Sequence, residues 1–389
     1  MSKRLWFIQA ALLTATLSLT ACSLTASPTT APTAAVQSTT VPTVIPAADQ
    51  PTTAPVTTAA VAQPTTVQPG NISIKVGLVT NVSGLNDQAF NQLAWAGIQK
   101  AATDMGFKVK FVESTQPTDY EKNIDALATE GYNVIITVGS LMGDATVLKA
   151  KQYPNIKFAI IDSDYLPSTG AQYDANLTNL TSLMFAEEQM GFLAGVLAGG
   201  MSKSGFVCSI SSLKTPRSDR YIMSFRAGAV WQAGEDMKGM NNYINIQTTD
   251  SNIPNFMDPT GGKDTAQDLI NAGCDVIFGV AANGALLAAK ENNLMAIGFD
   301  VDQYNTYPAA QTALLSSTKK NVDVAVYNYL KTVADGSVQA GIITGTLQNG
   351  GVSLAPFHDW DSQIPVDLKA RIQQASDGIK NGSITLDVP

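Results

Sequence analysis

The sequence predicts an α/β protein made of two Rossmann-like lobes, each a parallel sheet covered on both faces by helices. Three observations carry this. From Ile72 onward, short apolar runs of strand length alternate with stretches of helical periodicity. The strand runs are apolar throughout, as strands buried on both faces must be, and do not alternate apolar with polar. From residue 187 the same alternation begins again and continues for a similar length, which makes two lobes in place of one.

The first lobe is expected over about 71–182, with a segment that returns to it later. Its strands are IKVGLVT (74–80), KVKFVES (108–114), NVIITVG (133–139) and IKFAIID (156–162). Between the first two, Phe90, Leu93, Ala94, Gly97, Ile98, Ala101, Ala102 and Met105 form one apolar helix face, with Asn86 or Asp87 placed to cap it. TDYEKNIDALATEG (118–131) is the next helix, with Thr118 or Asp119 as cap and Gly131 as stop.

The second lobe, about 186–300 with C-terminal pieces, opens on the Gly-rich helix EEQMGFLAGVLAGGM (187–201). Its apolar part, 191–200, is too short for a membrane span and is closely flanked by Gln189 and Lys203, so a buried interdomain helix is expected. Strands GFVCSIS (205–211), YINIQTT (243–249), DVIFGV (275–280) and MAIGFD (295–300) follow, with helices near 219–234, 261–272 and 284–292 between them. TALLSST (312–318) is a further strand, and VDLKARIQQASDGIKNG a terminal helix packed on the body. Hinges are expected near 180–186 and 300–320.

Two segments ahead of the lobes are not expected to fold with them. Residues 1–22 have the form of a lipoprotein signal peptide, with Lys3 and Arg4 as the basic start and an apolar stretch from Leu5 to about Leu19. Leu19-Thr20-Ala21-Cys22 resembles the bacterial lipobox, in which the cysteine is diacylated and becomes the new N-terminus. Residues 23–70 are rich in Thr, Pro, Ala, Val and Gln, with Asp49 the sole charge, the composition of a disordered or partly polyproline II linker. The body is thus expected on a stalk at the extracytoplasmic face of the cell membrane, anchored through Cys22. Cys208 and Cys274 lie in apolar strand-like runs and are expected as two buried thiols, a disulfide being the alternative open to an exported chain.

The 389 residues are 45% hydrophobic and 14% charged, enough apolar material for one large or two ordinary domains. A net charge of −8 without any Lys/Arg run argues against nucleic acid as a partner. Catalytic chemistry is sparse. His358 is the only histidine, which leaves no His-based metal cluster and a poor basis for a Ser-His-Asp triad. There is no Cys-x-x-Cys, no Gly-x-Gly-x-x-Gly after a strand, and no Gly-x4-Gly-Lys-Ser/Thr. No cofactor, metal or catalytic residue is expected, and a monomeric binding protein with a closing cleft fits these features.

In paired α/β lobes the ligand belongs at the carboxyl ends of the strands, in the crevice between lobes. Asn81, Asp87, Phe90 and Asn91 follow the first strand, and Asp162 and Asp164 the fourth. The second lobe offers Arg217 and Tyr221, Phe256 and Asp258, Ala281 to Asn283, and Asp300 and Asp302, with Lys319 and Lys320 after the further strand. Phe90 and Phe256, one from each lobe, are placed to stack on opposite faces of a flat ring, worth about 1–3 kcal/mol per base. Asn91 and Asp162 suit the ring's edge, where an unmatched polar group is costly. Asp300 suits two vicinal hydroxyls, and Lys320 can donate to sugar oxygens while balancing that carboxylate. A flat ring joined to a vicinal diol is a nucleoside. Core packing of Phe90 and turn roles for Asp162 and Asp300 are the plain alternatives.

Over about Ile74 to Pro356 these segments resemble the basic membrane protein (BMP) family of bacterial lipoproteins, typified by a purine nucleoside receptor. The likeness is carried by KVGLVTNVSGLNDQAFNQLAWAG, STQPTDYEKNIDALATEGYNVIITVG, KFAIID, FAEEQMGFLAGVLAG, FMDPTGGK, GCDVIFGVA, IGFDVDQ and VDVAVYNYLK. The resemblance implies two lobes of the type I periplasmic binding fold and an ABC-importer substrate-binding protein that delivers a nucleoside to a permease and ATPase complex. It places base stacking on Phe90 and Phe256, base-edge contacts on Asn81, Asn91 and Asp162, ribose contacts on Asp300 and Lys320, and a backbone contact at Ala282. The chain has Thr80-Asn81 and Asn86-Asp87 where the family usually has Thr-Asp and Asp-Asp, exchanging an obligate acceptor for an amide that also donates. It has Ala281-Ala282-Asn283-Gly284 where relatives carry a Gly-rich turn. Both departures bear on which base is preferred. The alternatives are another small solute (free base, sugar or signalling molecule), a ligand sensor, or a nucleoside-cleaving enzyme.

Overall fold

The computed structural model describes residues 74–164, 177–212, 214–243 and 259–387, so Cys22, the Thr/Pro-rich linker and Phe256 lie outside the described residues. Gln68–Pro389 pack as one unit containing two six-stranded sheets. The chain runs β1 (Lys75–Val79), α1 (Phe90–Met105), β2 (Lys108–Val112), α2 (Tyr120–Thr129), β3 (Val134–Val138), α3 (Gly143–Gln152), β4 (Lys157–Ile161) and β5 (Leu180–Phe185). It continues through α4 (Glu187–Met201), β6 (Phe206–Ser211), α5 (Pro216–Ala233), β7 (Lys238–Tyr243), α6 (Pro259–Asn271), β8 (Val276–Val280), α7 (Asn283–Glu291) and β9 (Met295–Gly298). The last elements are α8 (Gln303–Thr306), β10 (Leu314–Lys320), α9 (Val322–Ala334), β11 (Gly341–Gly345), β12 (Val352–Leu354) and α10 (Val366–Lys380).

The first sheet has the order β11-β5-β4-β3-β1-β2 with every neighbouring pair parallel. The second, β12-β10-β9-β8-β6-β7, is parallel except for the antiparallel pairing of β12 on β10. β3, β6 and β8 are buried at every position, which is why their sequences are apolar without alternation. The α/β class and the two lobes are as the sequence predicts.

Several elements differ in detail. β5 lies in the body of the first sheet, yet Thr181 and Ser182 break its apolar run and hide it from a hydropathy pattern. β7 covers Lys238–Tyr243, ahead of the strand expected at 243–249, of which 244–249 lie outside the described residues; an edge strand paired only to β6 tolerates the polar sequence KGMNNY. The chain passes from the first lobe to the second between β5 and α4, returns between β10 and α9, and crosses again between β11 and β12. Strands hydrogen-bonded into a sheet resist rotation, so bending is expected at the links Ala186, Asn321 and 346–351, the first within the expected 180–186 and the second next to 300–320. Cys208 on β6 and Cys274 just before the neighbouring β8 are bonded as a disulfide, which overturns the expectation of two thiols.

The Gly-rich helix α4 is buried along nearly its whole length, as expected, and among the described residues no helix is long and apolar enough to cross a membrane. Its glycines have a packing reason. Gly191, Gly195 and Gly199 lie one turn apart and face Tyr221, Phe225 and Ala229 of α5, while Gly228 of α5 faces Phe192. The two backbones approach so closely that a Cβ on Gly195 would sit 1.9 Å from the Phe225 carbonyl oxygen. That oxygen is backbone and cannot swing aside. Gly195→Ala is therefore expected to destabilise the fold by about 1–3 kcal/mol, the usual range for overpacking, in chemical denaturation. A variant as stable as the parent would mean that the helices separate without cost.

Candidate functional site

The β1–α1 loop is built by its own amides. The Asp87 carboxylate accepts from the backbone N–H groups of Ala89, Asn91 and Gln92 at 2.9–3.2 Å, satisfying the donors at the start of α1 as the sequence suggests. Asn91 is fully buried, and its Nδ2 donates to Asn81 Oδ1 and to Asp87 Oδ2, both at 2.9 Å. Asn91 Oδ1 accepts from the Asn81 backbone N–H, and Asn81 Nδ2 donates to the Val138 carbonyl at 3.4 Å. The Asn91 carboxamide is thus engaged inside the loop, where it fixes the first turn of α1 and Phe90 with it.

Phe90 is half-buried against the core, and the Lys320 ammonium stands 5.6 Å from its ring centroid. Lys320 ends β10, beside the second lobe crossing, and its side chain is 3% exposed. Its Nζ donates to both oxygens of Asp162 at 3.0 Å and lies 3.6 Å from Asp300 and 3.7 Å from Glu187. Asp162 follows β4 in the first lobe, Asp300 follows β9 in the second, and Glu187 opens α4. An ammonium buried this deeply persists because carboxylates surround it. The residues Asp162, Asp300 and Lys320, taken from distant strand ends, are brought together here.

Both aspartates stand on unusual backbone. Asp162 has φ 55° and Asp300 φ 63°, the left-handed region, at a cost of order 1 kcal/mol each that the surroundings must offset. The Asp162 N–H donates to Leu183 of the neighbouring strand, and the Asp300 carbonyl accepts from the Lys320 N–H. Each kink is therefore pinned by the sheet and turns its carboxylate toward the lysine.

Helix α5 supplies the cations that flank this group. Pro216 starts it and a reciprocal Thr215–Ser218 capping box closes its N-terminus. Arg217, Arg220 and Tyr221 then share one face at helical spacing. Arg217 donates to the Asp162 carbonyl at 2.8 Å and lies 3.6 Å from its carboxylate and 3.5 Å from Asp164, joining the two lobes. Arg220 donates through Nε and Nη2 to Glu187 Oε2. The Tyr221 hydroxyl donates to Asp300 at 2.8 Å, and burial together with the Asp300 charge holds its pKa well above the ordinary value, so it stays a donor.

The environments drive the two aspartates apart. Burial works to raise the Asp162 carboxyl, but Lys320 and Arg217 together outweigh it and hold it below its ordinary value. Burial wins at Asp300, against the pull of Lys320 and with the Asp162 charge adding to it, and pushes its carboxyl up to about 7. Lys320 is raised in spite of burial by Asp162, Asp300 and Glu187.

Of the other residues singled out in the sequence, Ala282 is buried in the core of the second lobe at the start of α7. His358 lies 2.9 Å from the Asp302 carboxylate and stacks on Tyr304. Among the described residues no group of His, Cys, Asp and Glu could hold a metal ion. Glu187 was missed as a site residue. The available signal was a charged pair opening an otherwise apolar helix, a pattern that helix-dipole stabilisation explains equally well.

This arrangement of two parallel-dominated sheets joined by three crossings is the periplasmic binding protein type I fold, and the structural neighbours share it. A solute-binding protein of an ABC transporter system from Aeropyrum pernix superposes with a TM-score of 0.63 at 24% identity, covering 81% of this chain and 94% of that one. Another, from Conexibacter woesei, gives 0.64 at 20% identity over 81% and 99%. The family described as ABC transporter substrate-binding protein PnrA-like (Bmp) matches residues 74–384, and the chain belongs to it. The "ABC transporter nucleoside-binding protein BmpA" of Lactococcus lactis is 28% identical over 335 residues, 80% of this chain and 89% of that protein. Basic membrane protein A2 of Borrelia garinii is 29% identical over 320 residues (80% and 87%), and an uncharacterized lipoprotein of Pyrococcus horikoshii 29% over 296 (72% and 68%).

The raised Asp300 carboxyl has a consequence for stability. Its folded value of about 7 lies above that of an unfolded aspartate, so folding takes up a proton between about pH 4 and 7, and stability falls as pH rises through that window. Asp300→Asn keeps an acceptor for Tyr221 and cannot ionise. Without ligand, its melting temperature should gain on the parent's between about pH 4.5 and pH 8. A constant difference across that range would show that the carboxyl does not titrate there.

Proposed function

We propose that this Bmp-family substrate-binding protein is a lipid-anchored receptor that captures a nucleoside, purine by family likeness, between its lobes and hands it to an ABC permease and ATPase complex. The observation that carries the reading is the Lys320 ammonium, shared by carboxylates of both lobes above the Phe90 ring. A heterocycle would lie on Phe90 with Phe256 on its other face, worth about 1–3 kcal/mol per stacked ring. Asp162 and Asn81 would read the base edge, with Asn91 holding Phe90 in place through the loop. Asp300 would accept from the vicinal hydroxyls while Lys320 donates to the sugar oxygens, and the Ala282 backbone would complete the pocket. The name of the Lactococcus lactis relative supports the choice of ligand. Anchoring at Cys22 is supported by the relatives named lipoproteins, and the Cys208–Cys274 disulfide fits a compartment outside the cytosol.

No bond is made or broken in this mechanism. Only the closed form lets both lobes touch the ligand, so binding draws the open–closed equilibrium toward closure. In thermal melts, guanosine, adenosine or inosine should raise the melting temperature, and Phe90→Ala should weaken binding by about 5- to 150-fold without unfolding the protein. Asp300→Ala should lose binding likewise. If a sugar stabilises the protein and all three nucleosides fail, the ligand is wrong; release of free base from inosine would make the protein an enzyme.

A further inference from the structure

One buried polar atom is unaccounted for. Glu187 is 1% exposed, and its Oε2 accepts both Nε and Nη2 of Arg220, at 3.1 and 2.8 Å. Its Oε1 has no hydrogen-bond partner among the described residues. Lys320 Nζ, at 3.7 Å from Oε1, is beyond hydrogen-bond range and gives its bonds to Asp162. Buried carboxylate oxygens are rarely left unpaired, because desolvation goes uncompensated. Stabilisation of the α4 N-terminus and the pairing with Arg220 explain the charge and Oε2, but neither explains Oε1.

Its position suggests what completes it. Glu187, Asp300 and Lys320 all belong to elements of the second lobe, whereas Asp162 belongs to the first. When the lobes part, Lys320 leaves Asp162 but keeps Glu187 and Asp300 beside it. A cleft of about 250 Å³, open to solvent, adjoins Glu187, lined by Asp164, Phe185, Ile342 and Thr344 on one side and Glu187 and Arg220 on the other. We infer that Glu187 contacts the ligand, its free Oε1 accepting a hydrogen bond from a sugar hydroxyl that enters beside Lys320. The assignment rests on the nucleoside reading and deepens it: the second lobe grips the pentose with two carboxylates and one ammonium, and so selects a fully hydroxylated sugar over a deoxy one.

Glu187→Gln tests this sharply. Arg220 will hold the amide oxygen, so the glutamine presents its NH2 where Oε1 stood and replaces an acceptor by a donor. Calorimetric titration of the parent and of Glu187→Gln with guanosine, and with its 2′-, 3′- and 5′-deoxy forms, should give at least a tenfold loss for guanosine in the variant. One deoxy form should bind parent and variant alike, which names the hydroxyl. Arg220→Gln serves as the control, because a role confined to holding Arg220 predicts the same uniform loss in both variants. Parent-like guanosine binding by Glu187→Gln, or an equal loss across all four compounds, overturns the assignment and leaves the nucleoside reading standing. A parent protein that binds none of them overturns both.

Discussion

The structure turns on one buried cation. An ammonium withdrawn from water is tolerated only where carboxylates replace its hydration, and Lys320 obtains them from two sheets at once. Because Asp162 comes from one lobe and Asp300 and Glu187 from elements of the other, the neutralisation of this lysine depends on how the lobes meet. Anything that inserts at Lys320 must offer donors and acceptors in place of those it displaces.

The rest of the architecture holds those few atoms in place. Left-handed backbone at Asp162 and Asp300 turns the carboxylates toward the lysine, and hydrogen bonds to Leu183 and Lys320 keep the kinks closed. The close approach of α4 and α5, possible only with glycines at the contact, brings Glu187 against Arg220 and sets Tyr221 beneath Asp300. On the first lobe, the Asp87–Asn91–Asn81 chain of hydrogen bonds fixes where α1 begins, and so where the Phe90 ring lies. A packing rule, a capping rule and a strand-end kink all serve the same small volume.

Membership of the Bmp family and the fold shared with structural neighbours agree with the two-lobed architecture from an independent direction. Sequence identities near 28% leave the binding residues to be argued from this chain itself. In this chain the Asn81 amide both donates, to the Val138 carbonyl, and accepts, from Ser83 and Asn91, which a carboxylate at that position could not do.

Much was legible in the sequence because it is local. Strand and helix periods, the unbroken apolar strands that require a parallel sheet, the restart near residue 187 and the acids at strand ends all follow from neighbouring residues. Which acids share a lysine does not. Lys320 and Asp162 are 158 residues apart, and they meet only because β10 and β4 end at the same crevice of two sheets with the same strand order. For the same reason the sequence left Glu187 looking like an ordinary helix start, gave Asn91 no sign that its amide is already engaged, and left the pairing of Cys208 with Cys274 open. Periodicity records how a residue sits relative to its neighbours along the chain, whereas burial, ion pairing and disulfide formation depend on what the completed fold sets opposite it.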